Sequence, residues 1–401
     1  MTNYHLSTQV VHAGEKRSKP YHAIATPIFQ TSTYTFENTR DLIEYYDASL
    51  ANIDLEREEY GRYGNPTTAA VEAKLASLDR GEAARLFGSG MAAITTTLLT
   101  FLSSGSHLII TDDGYRRTRQ FVTEFLERFG IETSVIPVGD DEALQAAIRP
   151  TTEIILTESP TNPHLRVVDL PKLVAIAKAH RLRTIVDSTF ATPINQRPLE
   201  FGVDLVIHSA TKYLGGHNDL LAGVVIGSKL LIRQIKETQG ILGDVIAPHT
   251  AYLLLRGLKT LALRVQRQNE TAQHIAHFLA HHPAVRHVYY PSLEDHPDHA
   301  IAIDQMSGFG GVVTFELETD FEGTSRFIDH LRLPYISPSL GGTETLVEQV
   351  AIIGYYDLSP EERAKLGVSD NLVRLAIGLE AAEDLVADLT QALDKFDPAL
   401  T

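Results

Sequence analysis

The stretch "EIILTESPTNPHLRVVDLPKLVAIAKAHRLRTIVDSTFATP", residues 153–193, carries the clearest architectural signal in the chain. An apolar run at 153–158 is followed by a helical pattern at 170–181 and by a second apolar run at 183–187. Two strands joined by a helix of this length need a crossover connection, which makes the strands parallel. The same alternation continues in candidate strands at 84–87, 107–111, 133–138, 204–208 and 223–227 and in candidate helices at 91–102 and 115–129.

This alternation predicts an α/β fold with a mostly parallel sheet covered by helices on both faces. After residue 227 the pattern changes to helices at 229–239, 248–282 and 322–332, strands near 310–317 and 371–378, and a final helix from about 380. That mixture predicts a second, smaller α+β domain. We therefore expect an N-terminal arm over 1–60, a large domain over 61–256 and a C-terminal domain over 257–401.

Composition narrows the possible functions. The chain has 401 residues, and 35 Lys+Arg against 51 Asp+Glu give a net charge of −16, which disfavours nucleic acid and anionic membranes as partners. It has no cysteine, which excludes disulfides, thiolate metal sites and a catalytic cysteine. Its 17 histidines show no paired spacing of the zinc-protease kind, so we expect no metal. Neither a signal peptide nor a spanning segment is indicated, and we expect a cytoplasmic protein.

Polar residues that could bind a ligand or take part in catalysis follow several strands at the ligand-binding edge of the sheet. In "DLVIHSATKYLGGHNDLLAG", residues 204–223, a strand is followed by Ser209, Thr211 and Lys212. Asp187 ends another strand, and Asn162 lies in a loop after a third. Parallel sheets bind ligands beyond the carboxyl ends of their strands. Taken singly, Lys212 fits a solvated loop and Asp187 a turn or helix cap, so the argument depends on the set.

One cofactor uses this set together. Pyridoxal phosphate (PLP) needs a lysine amine to bind its aldehyde, a carboxylate to keep its ring nitrogen protonated, and an anion cradle for its phosphate. Lys212 and Asp187 match the first two needs. The cradle is predicted at Gly90 and Met91, which open a helix after the 84–87 strand, together with Ser209 and Thr211.

A nicotinamide cofactor is the rival interpretation. Gly88-x-Gly90-x-x-Ala93 matches the dinucleotide fingerprint, and Asp112 or Asp113 lies near the position of a ribose-binding acid. The same strand, glycine and helix arrangement suits any phosphate. Since this alternative leaves Lys212 and Asp187 without a task, the sequence favours PLP.

The motifs that surround these residues carry a family resemblance. They are "YGRYGNPT" (60–67), "FGSGMAAI" (87–94), "ESPTNP" (158–163), "VDSTFATP" (186–193), "SATKYLGGHNDLLAG" (209–223), "SLGGTETL" (339–346) and "NLVRLAIGLE" (371–380). Together they resemble the cystathionine γ-synthase/γ-lyase family of fold-type I PLP enzymes over nearly the whole chain. The stretches "DDGYRRTRQF" and "VEQVAIIGYYDLSPEERAKLGVSDNLVR" are most similar to those of plant-type cystathionine γ-synthases.

The resemblance implies further cofactor contacts. Tyr60 and Arg62 correspond to the pair that reaches the cofactor phosphate of a neighbouring subunit, which implies a dimer as the minimal active unit and a homotetramer as the usual form. Guanidinium suits phosphate because its donors are forked and permanently charged. Tyr115 corresponds to a catalytic tyrosine whose ring stacks on the pyridine, and Asn162 to a partner of the phenolic oxygen.

It also implies a substrate site and a reaction. Arg374 corresponds to the arginine that holds the substrate α-carboxylate, with Ser339 beside it, and Tyr60 and Glu344 complete the expected substrate contacts. The implied reaction is γ-replacement on an O-activated homoserine with L-cysteine to give L-cystathionine, in methionine biosynthesis. Because relatives share the cofactor residues, a γ-lyase or an O-acetylhomoserine sulfhydrylase stays an alternative. A non-catalytic binding protein is more remote, since Lys212, Asp187 and Arg374 are all present.

Four residues near the site have open interpretations. Arg116 and Arg117 follow Tyr115, where the lyases commonly have small residues. One of these arginines binds an anionic leaving group or distal carboxylate, or both lie in a solvated first helical turn. His208 and His217 flank Lys212 and are candidates for tuning it, although a packed strand histidine accounts better for His208.

Overall fold

A seven-stranded sheet forms the centre of the larger part of the chain in the computed structural model, which describes residues 4–51, 53, 55 and 57–396. The strand order is β1-β7-β6-β5-β4-β2-β3, and all neighbours are parallel except that β7 runs antiparallel to β1 and β6. Its strands are β1 (Ala83–Phe87), β2 (His107–Thr111), β3 (Glu132–Ile136), β4 (Thr152–Glu158), β5 (Arg183–Asp187), β6 (Leu205–His208) and β7 (Gly223–Gly227). The predicted mostly parallel sheet is confirmed.

Helices cover both faces of this sheet. The helices of this part of the chain are α1 (Leu6–His12), α2 (Thr39–Leu50), α3 (Pro66–Leu78), α4 (Gly90–Phe101), α5 (Arg116–Gln120), α6 (Asp141–Ala147), α7 (Leu170–His180), α8 (Thr192–Asn195) and α9 (Lys229–Leu242). Leu156 lies in a core cluster with residues of α4, whereas its neighbour Ile155 lies in a cluster with residues of α7. Because alternate strand residues are buried on opposite faces, the strands appear in the sequence as continuous apolar runs.

A second, five-stranded sheet follows, in the order β10-β11-β12-β9-β8. Its strands are β8 (Val285–Tyr289), β9 (Val312–Leu317), β10 (Tyr335–Ile336), β11 (Leu346–Gln349) and β12 (Leu372–Ala376). The helices of this part are α10 (Pro248–Leu258), α11 (Leu261–Ala280), α12 (His299–Gln305), α13 (Phe321–His330), α14 (Pro360–Lys365) and α15 (Ala382–Phe396). The α/β class with a smaller mixed part is confirmed, whereas the domain boundary at 256/257 stays a prediction.

Two predicted helices differ from the structure. The helix expected over 248–282 is divided at Lys259 and Thr260. Arg264 donates to the Gly257 carbonyl at 2.9 Å, and Gly257 lies so close to Gly215 that a Cβ there would be 2.2 Å from the Gly215 oxygen. This close packing holds the break in place.

The helix expected over 115–129 is α-helical only in α5. A π-helical turn follows at Phe121–Phe125 and a 3₁₀ turn at Leu126–Phe129. The Phe121 and Phe125 rings stack with centroids 5.4 Å apart, and the Phe129 ring lies tilted at 5.4 Å from that of Phe125. Gly130, with φ of 72°, then ends the segment in the left-handed region that glycine tolerates.

The first helix of the predicted N-terminal arm, α1, packs against its own chain. Lys74 of α3 is fully buried and donates from Nζ to the carbonyls of Val10 and Val11 at 2.8 and 3.1 Å. Glu15 lies between Lys74 at 3.5 Å and Lys259 at 2.9 Å. These charge-assisted contacts fix α1 against the large sheet's helices, and no periodic pattern in residues 1–60 predicts them.

Glu15→Gln should destabilise the protein by about 3 kcal/mol, because it leaves buried Lys74 without its carboxylate. Burial by itself raises the pKa of Glu15, but Lys259, Thr26 and Lys74 together hold that pKa at about 2. The stabilisation is therefore present above pH 4.5, the ordinary value, and is lost as the pH falls toward 2. Urea unfolding of wild type and variant between pH 7 and pH 3 measures this.

Glu44→Gln is the matched control, since the Arg40–Glu44 pair leaves both side chains largely exposed. Exposed pairs contribute about 0–1 kcal/mol. If both variants lost stability equally, or if the Glu15→Gln loss did not shrink on acidification, the assignment would be wrong.

No helix within the described residues is long and apolar enough to cross a membrane.

Candidate active site

The carboxyl ends of β4, β5 and β6 bring the predicted site residues together. Asp187 ends β5 and lies in register with Glu158 of β4 and Ile207 of β6. Ser209 and Lys212 follow directly after β6. Since neighbouring parallel strands are about 4.8 Å apart, side chains that leave these ends share one cleft.

Lys212 projects toward the loop before β11. Its Nζ donates to Ser339 Oγ at 2.6 Å. Burial, followed by the positive charge of Arg374, lowers the pKa of Lys212 to about 8, while Glu348 acts in the opposite direction. Ser339 has φ of 99°, a strained conformation for a residue with a side chain. The amine is therefore held in position and is more readily deprotonated than an exposed lysine.

Arg374 of β12 forms the other side of this pocket. Its guanidinium donates to Asn162 Oδ1 at 2.8 Å and to the Ser339 carbonyl at 3.0 Å. It also pairs with Glu348 at 3.1 Å, its register partner on β11. The buried Nε of Arg374 has no hydrogen-bond partner among the residues that the structure describes. A forked cation with a spare buried donor suits a carboxylate ligand.

Asp187 is held by the residue two positions after it. Thr189 donates from its backbone N–H at 3.0 Å and from Oγ1 at 2.5 Å, both to Asp187 Oδ1. Enclosure raises the pKa of Asp187, and the two Thr189 hydrogen bonds and His208 oppose this rise. These partners fix the orientation of the carboxylate at the floor of the cleft.

The glycine-containing turn after β1 lies against the Lys212 loop. Ser89 caps α4, and the first backbone hydrogen bond of that helix is donated by Ala93 to the Ser89 carbonyl, which leaves the N–H groups of Gly90 and Met91 without an intrahelical acceptor. A Cβ on Gly90 would lie 2.9 Å from Ser209 Cβ. The arrangement forms a close backbone cradle at a helix N-terminus, which suits phosphate.

Two other predicted cradle residues also have internal partners. The Thr211 hydroxyl donates to the Ala222 carbonyl at 3.2 Å and accepts the Ala222 N–H at 3.0 Å. The sulfur of Met91 accepts a weak contact from Thr118 Oγ1 at 3.9 Å. Thr211 thus closes the loop that follows Lys212.

Tyr115 and Glu344 lie at the rims of the cleft. Tyr115 is 47% exposed, and its backbone N–H donates to Glu158 Oε2 at 2.8 Å. Glu344 is exposed and accepts from Asn218 Nδ2 at 2.9 Å. Each keeps its side chain accessible from the solvent side, as a substrate or cofactor contact requires.

Tyr60 and Arg62 form a separate cluster. The Arg62 guanidinium lies between the rings of Tyr60 and Tyr63, at 5.1 and 5.2 Å from their centroids, and the Arg62 carbonyl accepts from Arg85 at 3.4 Å. The structure does not join this pair to Lys212 or Asp187 by a described contact. Their expected reach to a neighbouring subunit stays a prediction.

The two arginines after Tyr115 have different partners. Arg116 forms a bidentate pair with Asp357 at 2.7 and 2.8 Å, contacts the Gly354 carbonyl and lies 5.3 Å from the Tyr355 ring. Arg117 is exposed and donates to Gln120 Oε1 at 2.7 Å. Arg116 therefore connects the two parts of the protein, and Arg117 is the more available cation.

The two flanking histidines lie in different surroundings. His208 is fully buried in β6 and bonds Asp79 at 3.1 Å, which agrees with a packed strand histidine. His217 is exposed, and its Nδ1 lies 2.9 Å from the Gly215 carbonyl. No cluster of three or more metal-ligating side chains occurs among the residues that the structure describes.

Sequence reasoning missed three residues of the cleft. Glu158, Thr189 and Glu348 contact Tyr115, Asp187 and Arg374 respectively. Glu158 gave a signal, since it ends a strand beside the one that ends in Asp187. The only sequence signal at Glu348 is a charged residue within an apolar run. Its partner, Arg374, lies in a different segment of the chain.

Comparison with known proteins identifies the family. The model of the Cys/Met metabolism PLP-dependent enzymes matches residues 7–394. The chain belongs to this family. It is 48% identical over 387 residues to cystathionine gamma-synthase 1, chloroplastic, of Arabidopsis thaliana. The matched region covers 96% of this chain and 68% of that protein. It is 40% identical over 396 residues to L-methionine gamma-lyase of Fusobacterium nucleatum subsp. polymorphum, and the match covers 98% of this chain and 99% of that protein.

A solved structure shows the same architecture. Cystathionine gamma-lyase from Lactobacillus plantarum, complexed with L-serine, superposes with a TM-score of 0.90 at 38% identity, covering 98% of this chain and 99% of that one. The chain is thus an enzyme of the Cys/Met metabolism PLP-dependent family, and its cofactor is PLP rather than a nicotinamide. The interpretation as a non-catalytic binding protein is wrong.

The residues of the cleft fit this cofactor. Gly90 leaves no room for a Cβ beside Ser209, Lys212 has a lowered pKa, and Asp187 lies at the cleft floor with Thr189 fixing its carboxylate. In this Cys/Met family enzyme, the individual cofactor and substrate contacts predicted from the sequence are proposals, taken up next.

Proposed function

We propose that this enzyme catalyses γ-replacement on an O-activated homoserine with L-cysteine to give L-cystathionine. The observation that carries the proposal is the 48% identity to cystathionine gamma-synthase 1 of Arabidopsis thaliana over 96% of the chain, against 40% to L-methionine gamma-lyase over a similar span. Arg117, two residues after Tyr115, supports it, because it supplies an exposed cation beside the cleft, whereas Asp357 occupies the Arg116 fork.

Arg374 would bind the substrate α-carboxylate. Its guanidinium already bonds the Ser339 carbonyl, and its buried Nε lacks a partner in the described part of the chain. Glu348 neutralises part of the local positive charge, so that one anionic ligand completes the balance between Lys212, Arg374 and Glu348. Binding there would place the amino acid's Cα near Lys212, since Lys212 Nζ and Arg374 both contact Ser339.

The cofactor would be held by six residues of the cleft: Asp187, Gly90, Met91, Ser209, Thr211 and Asn162. Lys212 would be bonded to it in the resting enzyme, and Tyr115 would lie against its ring. PLP withdraws electrons from Cα and so makes the Cα and Cβ protons of the amino acid removable. Asp187 would hold the proton on the cofactor's ring nitrogen. Lys212, once displaced by the substrate amine, would take the Cα proton and then move protons at Cβ, a task for which a pKa of about 8 suits it.

The overall exchange at Cγ is balanced. The Cγ–O bond of the activated homoserine breaks and the leaving group departs as an anion, and a Cγ–S bond to cysteine forms while the thiol loses its proton. Glu344, together with Tyr60 contributed by a neighbouring subunit, would contact the distal groups of the substrate. Elimination without cysteine would use the same residues, and the similarity to L-methionine gamma-lyase favours a γ-lyase as the second candidate.

One assay separates these reactions. The purified enzyme is incubated with phosphoryl, succinyl and acetyl homoserine in turn, with and without cysteine, and cystathionine is separated from 2-oxobutanoate. γ-Replacement predicts cystathionine as the main product when cysteine is present. Equal 2-oxobutanoate with and without cysteine would identify a lyase, and product formation from sulfide but not from cysteine would identify a sulfhydrylase.

Arg117→Ala should lower kcat/KM about tenfold for the homoserine ester with the most anionic leaving group and change the acetyl ester little, because exposed Arg117 supplies a cation for that group. Arg116→Ala should not shift selectivity in this way, since Asp357 already occupies the Arg116 fork. Rates with the three esters measure this. Unchanged selectivity in both variants would contradict an anion-binding arginine here.

We propose a homotetramer built of dimers in which Tyr60 and Arg62 serve the neighbouring subunit, and a cytoplasmic location. Arg62 supports the homotetramer, because its buried Nε has no partner within the described part of its own chain. Cofactor loss in Arg62→Ala at unchanged oligomer size would test the contact.

A further inference from the structure

Three ionisable residues form a row across adjacent strand ends beneath the cleft. Glu158 ends β4, Asp187 ends β5 and His208 ends β6. Glu158 and Asp187 are register partners, so their side chains leave strands about 4.8 Å apart on the same side of the sheet. His208 follows Ile207, the register partner of Asp187, so its side chain leaves the opposite face of the sheet, where it bonds the fully buried Asp79.

Two enclosed carboxyl groups this close cannot both be ionised without a large cost, so one keeps a proton. Asp187 accepts two hydrogen bonds from Thr189 on one oxygen, and the charge of His208, on the other face of the sheet, also favours its ionised form. Glu158 accepts the Tyr115 N–H at 2.8 Å. Donors favour the ionised form of a carboxyl, so Asp187 is the better anion.

The charges that face this pair favour the same assignment. Glu158 is faced by Asp187 and Asp113, which disfavour its ionised form, and by Arg374, which favours it. Burial and then Asp187 raise the pKa of Glu158 well above its ordinary value. Burial lowers the pKa of His208, but Asp79 and Asp187 together raise it above its ordinary value.

We propose that neutral Glu158 and cationic His208 act as positioning residues that keep the negative charge on Asp187. Glu158 stays protonated, which leaves the negative charge on Asp187, and it accepts the Tyr115 backbone N–H. His208, whose positive charge Asp79 stabilises, attracts the Asp187 charge from the other face of the sheet. The inference rests on the proposed task of Asp187 at the cofactor's ring nitrogen. Neither residue touches substrate, and each acts through Asp187 or Tyr115.

Infrared spectroscopy of the holoenzyme tests the Glu158 assignment without turnover, since a protonated carboxyl has a C=O band that a carboxylate lacks. At pH 7.5 we expect such a band in wild type and its loss in Glu158→Gln. A wild-type spectrum without a protonated carboxyl, or a band that persists in Glu158→Gln, would overturn the proposal. The wild-type spectrum is decisive against the proposal even if the variant does not fold.

Cofactor affinity and its pH dependence test His208. His208→Gln should bind PLP about tenfold more weakly and shift the pH at which the bound cofactor's absorbance changes. His107→Gln is the matched control: His107 is also a fully buried strand histidine, but its partners are the hydroxyls of Thr152 and Ser134. Equal behaviour of the two variants would reduce His208 to a packing residue and contradict the proposal.

These readouts separate this inference from the proposed function. A lyase or sulfhydrylase would leave the infrared band and the His208→Gln shift unchanged. Failure of Asp187 as the nitrogen partner would appear instead as an unaltered cofactor spectrum in Asp187→Asn, with the Glu158 band still present.

Discussion

Lys212→Ala should lower turnover by about 10³-fold and abolish covalent attachment of the cofactor. Lys212 Nζ lies 2.6 Å from Ser339 Oγ, and burial lowers its pKa to about 8. It is thus placed both to bind the cofactor aldehyde and to move the Cα proton, and no described neighbour duplicates its amine. Absorbance of the purified protein, steady-state rates and peptide mapping after borohydride reduction measure the effect.

Lys365→Ala is the control, because Lys365 is exposed at the end of α14. We expect wild-type spectra and rates from it. Near-normal turnover in Lys212→Ala, or a reduced cofactor label on another lysine in wild type, would remove the basis for every role proposed at this cleft.

Arg374→Lys should raise the KM for the amino-acid substrate about 100-fold and leave PLP absorbance close to wild type. Lysine keeps the charge but not the fork that bonds Asn162 and the Ser339 carbonyl, so a planar carboxylate loses its paired donors. We choose lysine because alanine would leave buried Glu348 unpaired and destabilise the protein by about 3–5 kcal/mol.

Arg363→Lys matches this change elsewhere in the fold. Arg363 is also a buried arginine, paired with Asp370 at 2.6 Å and bonded to the Leu358 carbonyl. A similar rise in KM in both variants would show that Arg374→Lys acts through general destabilisation. Loss of cofactor absorbance without a change in KM would move Arg374 from the substrate to the cofactor.

Much of the large sheet was predictable because its strands are buried on both faces. Most of the predicted strand segments, such as 183–187 and 223–227, coincide with observed strands to within one residue. The N-terminal helices α1 and α2 were missed since their stability comes from contacts such as the Lys74 bonds to Val10 and Val11, not from a periodic pattern. β8, β10 and β11 were missed for a related reason: they are short or flanked by polar residues and depend on pairing with distant strands.

The local pattern alone predicts the α/β class, the edge where polar residues collect, and Lys212 and Asp187 as the proposed partners of the cofactor, because each of these depends on residues adjacent in the chain. The pairing of Arg374 with Glu348, of Arg116 with Asp357 and of Asp187 with Glu158 emerged only once the strands were assembled. Such contacts join segments that are distant in sequence, and the enclosure that sets their charges exists only in the packed protein.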